Sequence, residues 1–485
     1  MSSFEELRQT RIDKLNKLVK LGINPYPANS KRDYSLAEVK EDFEKLSSED
    51  KIHLAGRIMS IRGQGGLIFF NINDGTGLFQ ALLKKDEVEE KIFNLFQETI
   101  DIGDFIEVCG KLFTTKRGEK TLQVSDWKIL SKSLRPLPEK WHGIQDEEEK
   151  LRKRYLDILF NDDLKDLFIK RSKFWNATRS YLLKKGFIEV ETPVLENTAG
   201  GAEARPFITH YNAYDTEVYL RISPELWLKR LMVAGYPKVF EIGRIFRNEG
   251  ADAEHLQDYT QMEFYSAYTE YNEGMKVVED MYKYIAEETF GTLKFKIKGF
   301  DIDLGKKWEV YDFVKIIKDM TKVDILNSNI EEIENTLEDL KIEYDRKGFN
   351  FNRGIDALWK YCRKKIAGPG FLINVPVTLE PLAKRSEKNK DIVERFQVIL
   401  AGSEMGKGFS ELNDPLDQMK RFEDQAKLRE EGDEEAQMMD GEFVEALEYG
   451  MPPTCGFGFS ERLFSFLADK PVRESQIFPF MRAKN

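Results

Sequence analysis

Cysteine and histidine are scarce in this chain: its 485 residues include three of the first and four of the second. Cys109, Cys362 and Cys455 form no CxxC pair and the histidines are scattered, so a structural zinc site is not expected. So few thiols also argue against a disulfide framework and predict free cysteines in a reducing, cytoplasmic compartment. No uninterrupted apolar run is long enough to span a bilayer, and the opening MSSFEELRQTRIDKL lacks the apolar core of a secretion signal. No P-loop or Rossmann glycine fingerprint stands where one would be needed, which excludes nucleotide binding by either device.

What is present suits a water-soluble protein with a sizeable core, since 41% of residues are hydrophobic and 33% charged. The length predicts two or three domains. A net charge of −11 argues weakly against nucleic acid as a partner, but the charge is uneven. Residues 51–140 hold 14 basic and 12 acidic side chains, so that segment is +2 and the remainder −13. Phosphate contacts act over about one Debye length, roughly 10 Å, so an acidic protein can still hold a polyanion locally.

Residues 3–21 read as a helix: Ser3 and Glu6 form a capping box, Leu15, Leu18 and Val19 make an apolar stripe, and Gly22 and Pro25 end it. Arg8, Arg11, Lys14, Lys17 and Lys20 recur every third residue, a spacing that drifts around a helix. It favours a solvated surface over a nucleic-acid-binding face. From about 51 to 131 the pattern changes to short strands, HLAGRIMSIR, GLIFFNIND, GLFQALL, FIEVCGKLF and KTLQVSDWKIL, separated by turns such as Asp74-Gly75 and Arg117-Gly118. Five strands in about eighty residues suit a small closed barrel of OB type. Pro136 and Pro138 punctuate a linker, and the domain boundary is expected near residue 145.

Beyond it, helices over 164–185 and 274–288 mix irregularly with strand-like stretches at 217–223, 238–247, 260–268, 371–379, 394–403 and 455–460. That mixture favours an α+β fold with an antiparallel sheet over a doubly wound one. Residues 300–370 read as a charged helical insertion with no assigned chemistry, and EEGDEE (430–435) as a solvated loop or helix end.

Three segments carry chemistry. KGFIEVETPVL (185–195) joins a helix end to a strand at Pro193, FRNEGADAEHLQDYTQMEFY (246–265) reads as a strand–loop–strand hairpin, and GFGFSERLFSFLADKPVRES (456–475) as a strand feeding a helix. Together they resemble motifs 1, 2 and 3 of the class II aminoacyl-tRNA synthetases. When a carboxylate attacks the α-phosphorus of ATP, negative charge builds on the phosphoryl oxygens, and a planar, permanently charged guanidinium can bridge the two reacting anions. The resemblance assigns that catalytic role to Arg247 and puts Arg462 on adenine and the γ-phosphate. It further implies that Glu249 accepts from adenine, that His255 meets the γ-phosphate, and that Tyr259 lies under the base where the family usually has Phe. Glycines let ATP lie close to the backbone, and the choice among Gly456, Gly458 and Ser460 as the lining residues stays open. Motif 1 implies a homodimer.

Three further segments, GGAEARPF (200–207), LRPLPEKWHG (134–143) and RYLDIL (154–159), narrow the resemblance to the lysyl-tRNA synthetases, and PLAKR (381–385), ELND (411–414) and PPT (452–454) agree. It covers nearly the whole chain. The expected architecture is therefore α+β: an N-terminal helix (1–30), an OB-fold β-barrel (31–145), and a class II catalytic domain (146–485) with a six- to seven-stranded antiparallel sheet flanked by helices. A buried ammonium without partners costs several kcal/mol, so a pocket for L-lysine needs carboxylates. The resemblance supplies Glu225 for the α-ammonium, and Glu263, Tyr265 and Glu411 for the ε-ammonium, with Gly201 facing the amino acid and Phe409 along its stem. Aspartyl and asparaginyl relatives would need a cationic or amide-donating pocket instead.

Two departures from the family cluster. Its metal-binding pair is two glutamates seven apart, and here the pair is Gln397 and Glu404. Its asparagine three residues later is Lys407. Mg²⁺ prefers carboxylate and water over an amide oxygen. One reading is drift; the other has the Lys407 ammonium partly replacing a Mg²⁺ or holding the substrate carboxylate. In the barrel, Arg62, Phe69, Gln80 and Glu119 fall where the family reads the anticodon of tRNA(Lys), by stacking on an exposed aromatic with polar edge contacts. Phe69 and Phe70 are adjacent in a strand, so one must face the core and the other solvent. A second synthetase specificity and a noncatalytic RNA-binding paralogue are the rival functions, the latter resting only on the altered metal site.

Overall fold

The computed structural model describes residues 4–138, 146–250, 255–346, 349–430 and 436–483. The chain divides into two compact units, one running through Glu147 and the other starting at Glu148.

In the first unit, strands β1 (Ile52–Gln64), β2 (Leu67–Asn73), β3 (Leu78–Lys84), β4 (Phe105–Thr114) and β5 (Lys120–Ser131) close into a barrel in the order β1-β2-β3-β5-β4. Alternate residues fill it: Ile52, Leu54, Ile58, Phe70, Ile72, Ile106 and Val108 are buried. The register shift between Ile58 and Ser60 lets the long β1 bend across to both neighbours. The N-terminal helix, Phe4–Lys20, lays Leu18 into the same core, while Val19, expected on its apolar stripe, is 55% exposed. Its basic residues are neither idle surface nor a free face. Lys14 pairs with Asp101 at 2.6 Å, Lys17 with Glu98 at 2.7 Å, and Arg11 donates to the carbonyls of Ile102, Ser133 and Arg135. Arg11 and Lys14 dock the helix on the barrel, so the expectation of a solvated basic surface is corrected for those two, whereas Lys17 stays exposed with its partner. Ser3 lies outside the described residues. A capping box does open the short helix Leu36–Glu41, through Ser35 and Glu38.

The second unit is built on eight strands: β6 (Ile188–Glu189), β7 (Lys238–Phe246), β8 (Asp258–Ala267), β9 (Glu309–Asp312), β10 (Gly370–Ile373), β11 (Arg395–Leu400), β12 (Ser403–Ser410) and β13 (Thr454–Ser460). They lie in the order β9-β10-β11-β12-β13-β8-β7-β6. The inner six are antiparallel. A short parallel strand joins at each edge, β6 on β7 and β9 on β10, which makes eight strands rather than six or seven. On one face Met262, Phe264, Phe396 and Phe457 pack under the helices Asp162–Lys184 and Tyr271–Phe290. The other face carries Tyr265 and Phe409, packed with the helix Glu225–Val233 and the helices of the 300–370 segment.

Strand β12 was not expected. Glycine-rich SEMGKGFS has little strand propensity, but the chain reverses at Ala401 and Gly402, both at positive φ, and returns beside β11. Gly408 is required there, since a Cβ would fall 2.5 Å from the Gly456 carbonyl oxygen. The 300–370 segment is also more than a helical insertion. It supplies edge strand β9 and the helix Phe351–Arg363, whose Trp359 reaches the site described next. Of EEGDEE, residues 431–435 lie outside the described residues.

Candidate active site

Period-two alternation in β8 decides what faces the open side of the sheet. Met262 and Phe264 point into the core, so Gln261, Glu263 and Tyr265 point the other way. Their partners across the ladder are Ser460, Gly458 and Gly456 of β13, which in turn lie beside Lys407 and Phe409 of β12. All three β13 residues line the same cavity, which resolves the question left open by the sequence. A Cβ on Gly458 would come within 2.9 Å of Glu263 Cγ, and one on Gly456 within 2.2 Å of Glu411 Oε1. The glycines make room for buried carboxylates. The cavity has a volume of about 460 Å³, and every residue assigned above to the ATP, lysine or metal site borders it.

At one end lie the carboxylates. Glu263 accepts from Ser223 at 2.7 Å, Gln261 at 2.5 Å and the Tyr265 hydroxyl at 3.0 Å. Burial, with the Glu225 carboxylate adding, still pushes the Glu263 carboxyl up to about 7 against those donors. Gly201, at φ +84, closes this end; a Cβ there would fall 2.9 Å from Glu225 Cβ. Glu411 is 1% exposed, and its Oε1 has no hydrogen-bond partner among the described residues. Burial first, and then Glu225 and Glu263, raise its carboxyl well above the ordinary range.

The sequence reading missed Lys229. Its Nζ sits 2.6 Å from Glu225 Oε1 and 2.5 Å from Glu411 Oε2, and 5.3 Å from the centre of the Phe409 ring. Burial alone would lower its pKa, but the two carboxylates hold it above the usual lysine value. A signal was available: Glu225 and Lys229 are spaced i,i+4 on a helix whose Leu226, Leu228 and Met232 are apolar, so the pair had to turn inward.

At the other end, Arg247 follows β7, its backbone N–H donates to Gln257 at 2.8 Å, and its guanidinium lies 5.7 Å from the centre of the Tyr259 ring. Burial raises the Tyr259 phenol. Arg462 starts the helix after β13 and donates to the Glu404 carbonyl at 3.4 Å. Glu249 and His255 are exposed at the rim, and residues 251–254 between them lie outside the described residues.

The expected metal pair does not fit as a pair. Glu404 accepts from the Trp359 indole at 2.6 Å through one oxygen, which leaves the other to ligate. Gln397 offers a single acceptor oxygen, and the Arg395 guanidinium donates to it, so a cation already faces the atom a metal would need. Among the described residues no group of three His, Cys, Asp or Glu side chains could hold an ion. In this structure Gln397 is a guanidinium acceptor. The charge gained at Lys407 is met in part: its ammonium lies 3.2 Å from Glu380, a carboxylate it shares with Arg395 at 2.9 Å. Glu380 is far from both residues in sequence and was not foreseen.

On the barrel, Phe70 is in the core at 1% exposure, whereas Phe69 is half-buried on the outer wall, paired with the exposed Arg62 across β1 and β2. Gln80 donates to Thr121 at 2.8 Å on β5, and Glu119 is exposed just before that strand. Cys362 and Cys455 are buried and Cys109 half-buried, all three free.

Residues 146–482 match the family described as tRNA synthetases class II (D, K and N), and residues 52–130 match the OB-fold nucleic acid binding domain. The chain is 44% identical to the lysine–tRNA ligase of Thermotoga maritima, covering 99% of this chain and 97% of the relative. It is 43% identical to that of Fervidobacterium nodosum (99% and 94%) and 42% identical to that of Carboxydothermus hydrogenoformans (99% of each). No helix among the described residues is long and apolar enough to cross a membrane. A cavity with carboxylates at one end and guanidinium groups at the other on an antiparallel sheet, a separate five-stranded OB barrel, and relatives matched end to end leave one assignment: the chain belongs to the class II lysyl-tRNA synthetase family.

Proposed function

We propose that this chain works in the cytoplasm as a homodimer, activating L-lysine with ATP and transferring it to tRNA(Lys). The observation that carries the reading is the single cavity in which Glu225, Glu263 and Glu411 face the position of a dicationic amino acid and Arg247 and Arg462 face that of a triphosphate. The lysine carboxylate attacks the α-phosphorus, the bond from that phosphorus to the α,β-bridging oxygen breaks, pyrophosphate leaves, and lysyl-adenylate forms. Arg247 holds the two anions together while Arg462, Glu249, His255 and Tyr259 hold the nucleotide. The tRNA 3′-terminal hydroxyl then takes the lysyl group and AMP leaves. No side-chain nucleophile is needed, because positioning and fixed charge lower the barrier. ATP–pyrophosphate exchange with a panel of amino acids tests the reading. Exchange with lysine alone supports it, exchange with another amino acid favours a different specificity, and no exchange favours a noncatalytic paralogue.

Mg²⁺ bound with ATP would neutralise charge on the phosphates, with Glu404 as its ligand from this chain. We expect fewer tightly held ions than a site with two carboxylates would bind, because the single Glu380 carboxylate offsets only one of the two positive charges of Lys407 and Arg395 and leaves this wall net positive. The double substitution Gln397→Glu with Lys407→Asn should raise the number of Mg²⁺ or Mn²⁺ ions bound per chain with a nonhydrolysable ATP analogue. An unchanged count would make both residues mere drift.

Exposed apolar side chains on and beside edge strand β6, namely Leu183, Ile188, Val194 and Leu195, support a second copy docking through motif 1. Free cysteines support a reducing compartment. On the barrel, Arg62, Phe69, Gln80 and Glu119 would read the anticodon. Phe69→Ala should weaken aminoacylation of tRNA(Lys) by roughly 1–3 kcal/mol of lost base stacking and leave adenylate formation intact. Equal loss in both half-reactions would take Phe69 out of tRNA recognition.

A further inference from the structure

Lys229 stands one helical turn after Glu225 with its side chain fully buried, and it engages one oxygen of Glu225 and one of Glu411 in the protein alone. Glu411 Oε1 remains without a hydrogen-bond partner among the described residues, on the side where Gly456 leaves room. Glu263 borders the same space. With all of them charged, the three carboxylates and one ammonium sum to a charge that the two ammonium groups of a lysine molecule would neutralise.

We propose that Lys229 is a specificity-determining residue: it clamps Glu225 and Glu411 by their inner oxygens and sets the pocket charge to match a substrate with two ammonium groups. This rests on the lysine-pocket reading above. The charged groups on Lys229 are Glu225 on its own helix and Glu411 just after β12, with the Phe409 and Phe443 rings beside its ammonium; Glu263 and Tyr265 on β8 lie next to those carboxylates. Like charges crowded in a dry site raise one another's pKa: burial and Glu225 push Glu263 up to about 7, and Glu411 is raised by burial, Glu225 and Glu263 with the Lys229 ammonium opposing them. Below that pH Glu263 takes up a proton and no longer attracts an ammonium, so lysine binding weakens as pH falls through 7. Without the Lys229 charge the carboxylates hold their protons to higher pH.

The test is ATP–pyrophosphate exchange by Lys229→Met over a range of pH. The lysine KM should rise about tenfold or more and the acid limb of kcat/KM for lysine should move up by about one pH unit, with the KM for ATP retained. Lys229→Arg keeps the charge, so its acid limb should stay near wild type even as its lysine KM rises. A Met variant with the wild-type limb and KM would overturn the proposal, as would an Arg variant whose limb moves as far as that of Met. If the Met variant does not fold, the limb of the Arg variant decides. Failure of the wild-type protein to exchange with lysine would instead sink the pocket reading itself.

Discussion

Glu411→Gln should nearly abolish lysine use at ordinary concentrations while ATP binding persists. The substitution has two costs, and the structure separates them. The substrate ammonium would face a neutral amide and lose a charge-assisted hydrogen bond of about 1.5–3 kcal/mol, roughly 10- to 100-fold in kcat/KM for lysine. Lys229, fully buried, would also lose one of its two carboxylate partners. Breaking a buried pair by removing one partner costs about 3–5 kcal/mol, because the remaining charge has no water to turn to. The variant should therefore melt at lower temperature as well as bind lysine poorly. Exchange kinetics with lysine and with ATP as the varied substrate, together with a thermal melt, give the three readings. Unchanged KM and kcat for lysine would remove Glu411 from the pocket.

Arg247→Ala should lower the maximal rate of pyrophosphate exchange by about 10²–10³-fold, the usual loss when one preorganised donor to a developing negative charge is removed. Lysine in its place should recover little, because an ammonium cannot span two anions as a planar fork does. Arg247 rests over the Tyr259 ring, a contact an alanine loses, but the hydrogen bond from its backbone N–H to the Gln257 carbonyl, which shapes the chain here, remains. The stability of the variant should accordingly be near that of the wild type. The discriminating measurement is kcat at saturating ATP and lysine. If only the KM for ATP changes and kcat survives, Arg247 binds the ground state and another group stabilises the reacting phosphate.

Local pattern carried much of this protein. The outward Phe69 and inward Phe70 follow from period-two alternation. The helices Asp162–Lys184 and Tyr271–Phe290 follow from 3.6-residue periodicity, and the five barrel strands from alternation bounded by Gly and Asp turns. The residue types at 246–265 and 456–462 were legible because phosphoryl transfer and lysine binding demand guanidinium groups, carboxylates and small residues in close order. What neighbouring residues do to one another is written in the sequence.

Pairings between distant residues are not, since they depend on which strands the topology brings together. Arg11 and Lys14 looked like drifting surface charge until Asp101 and the backbone after β5 appeared as their partners. Glu380, which shares its carboxylate between Lys407 and Arg395, and Arg395, which donates to Gln397, could not be read as their partners from the sequence. Trp359 came from a segment with no assigned chemistry to hold Glu404. Strand β12 has low propensity and forms because β11 and β13 leave a slot that only a glycine-rich chain can enter. Lys229 shows the division most sharply. The sequence fixes its spacing from Glu225, but only the folded sheet delivers Glu411 to the other side of its ammonium, and a charge buried without water takes its meaning from the partners that tertiary contact supplies.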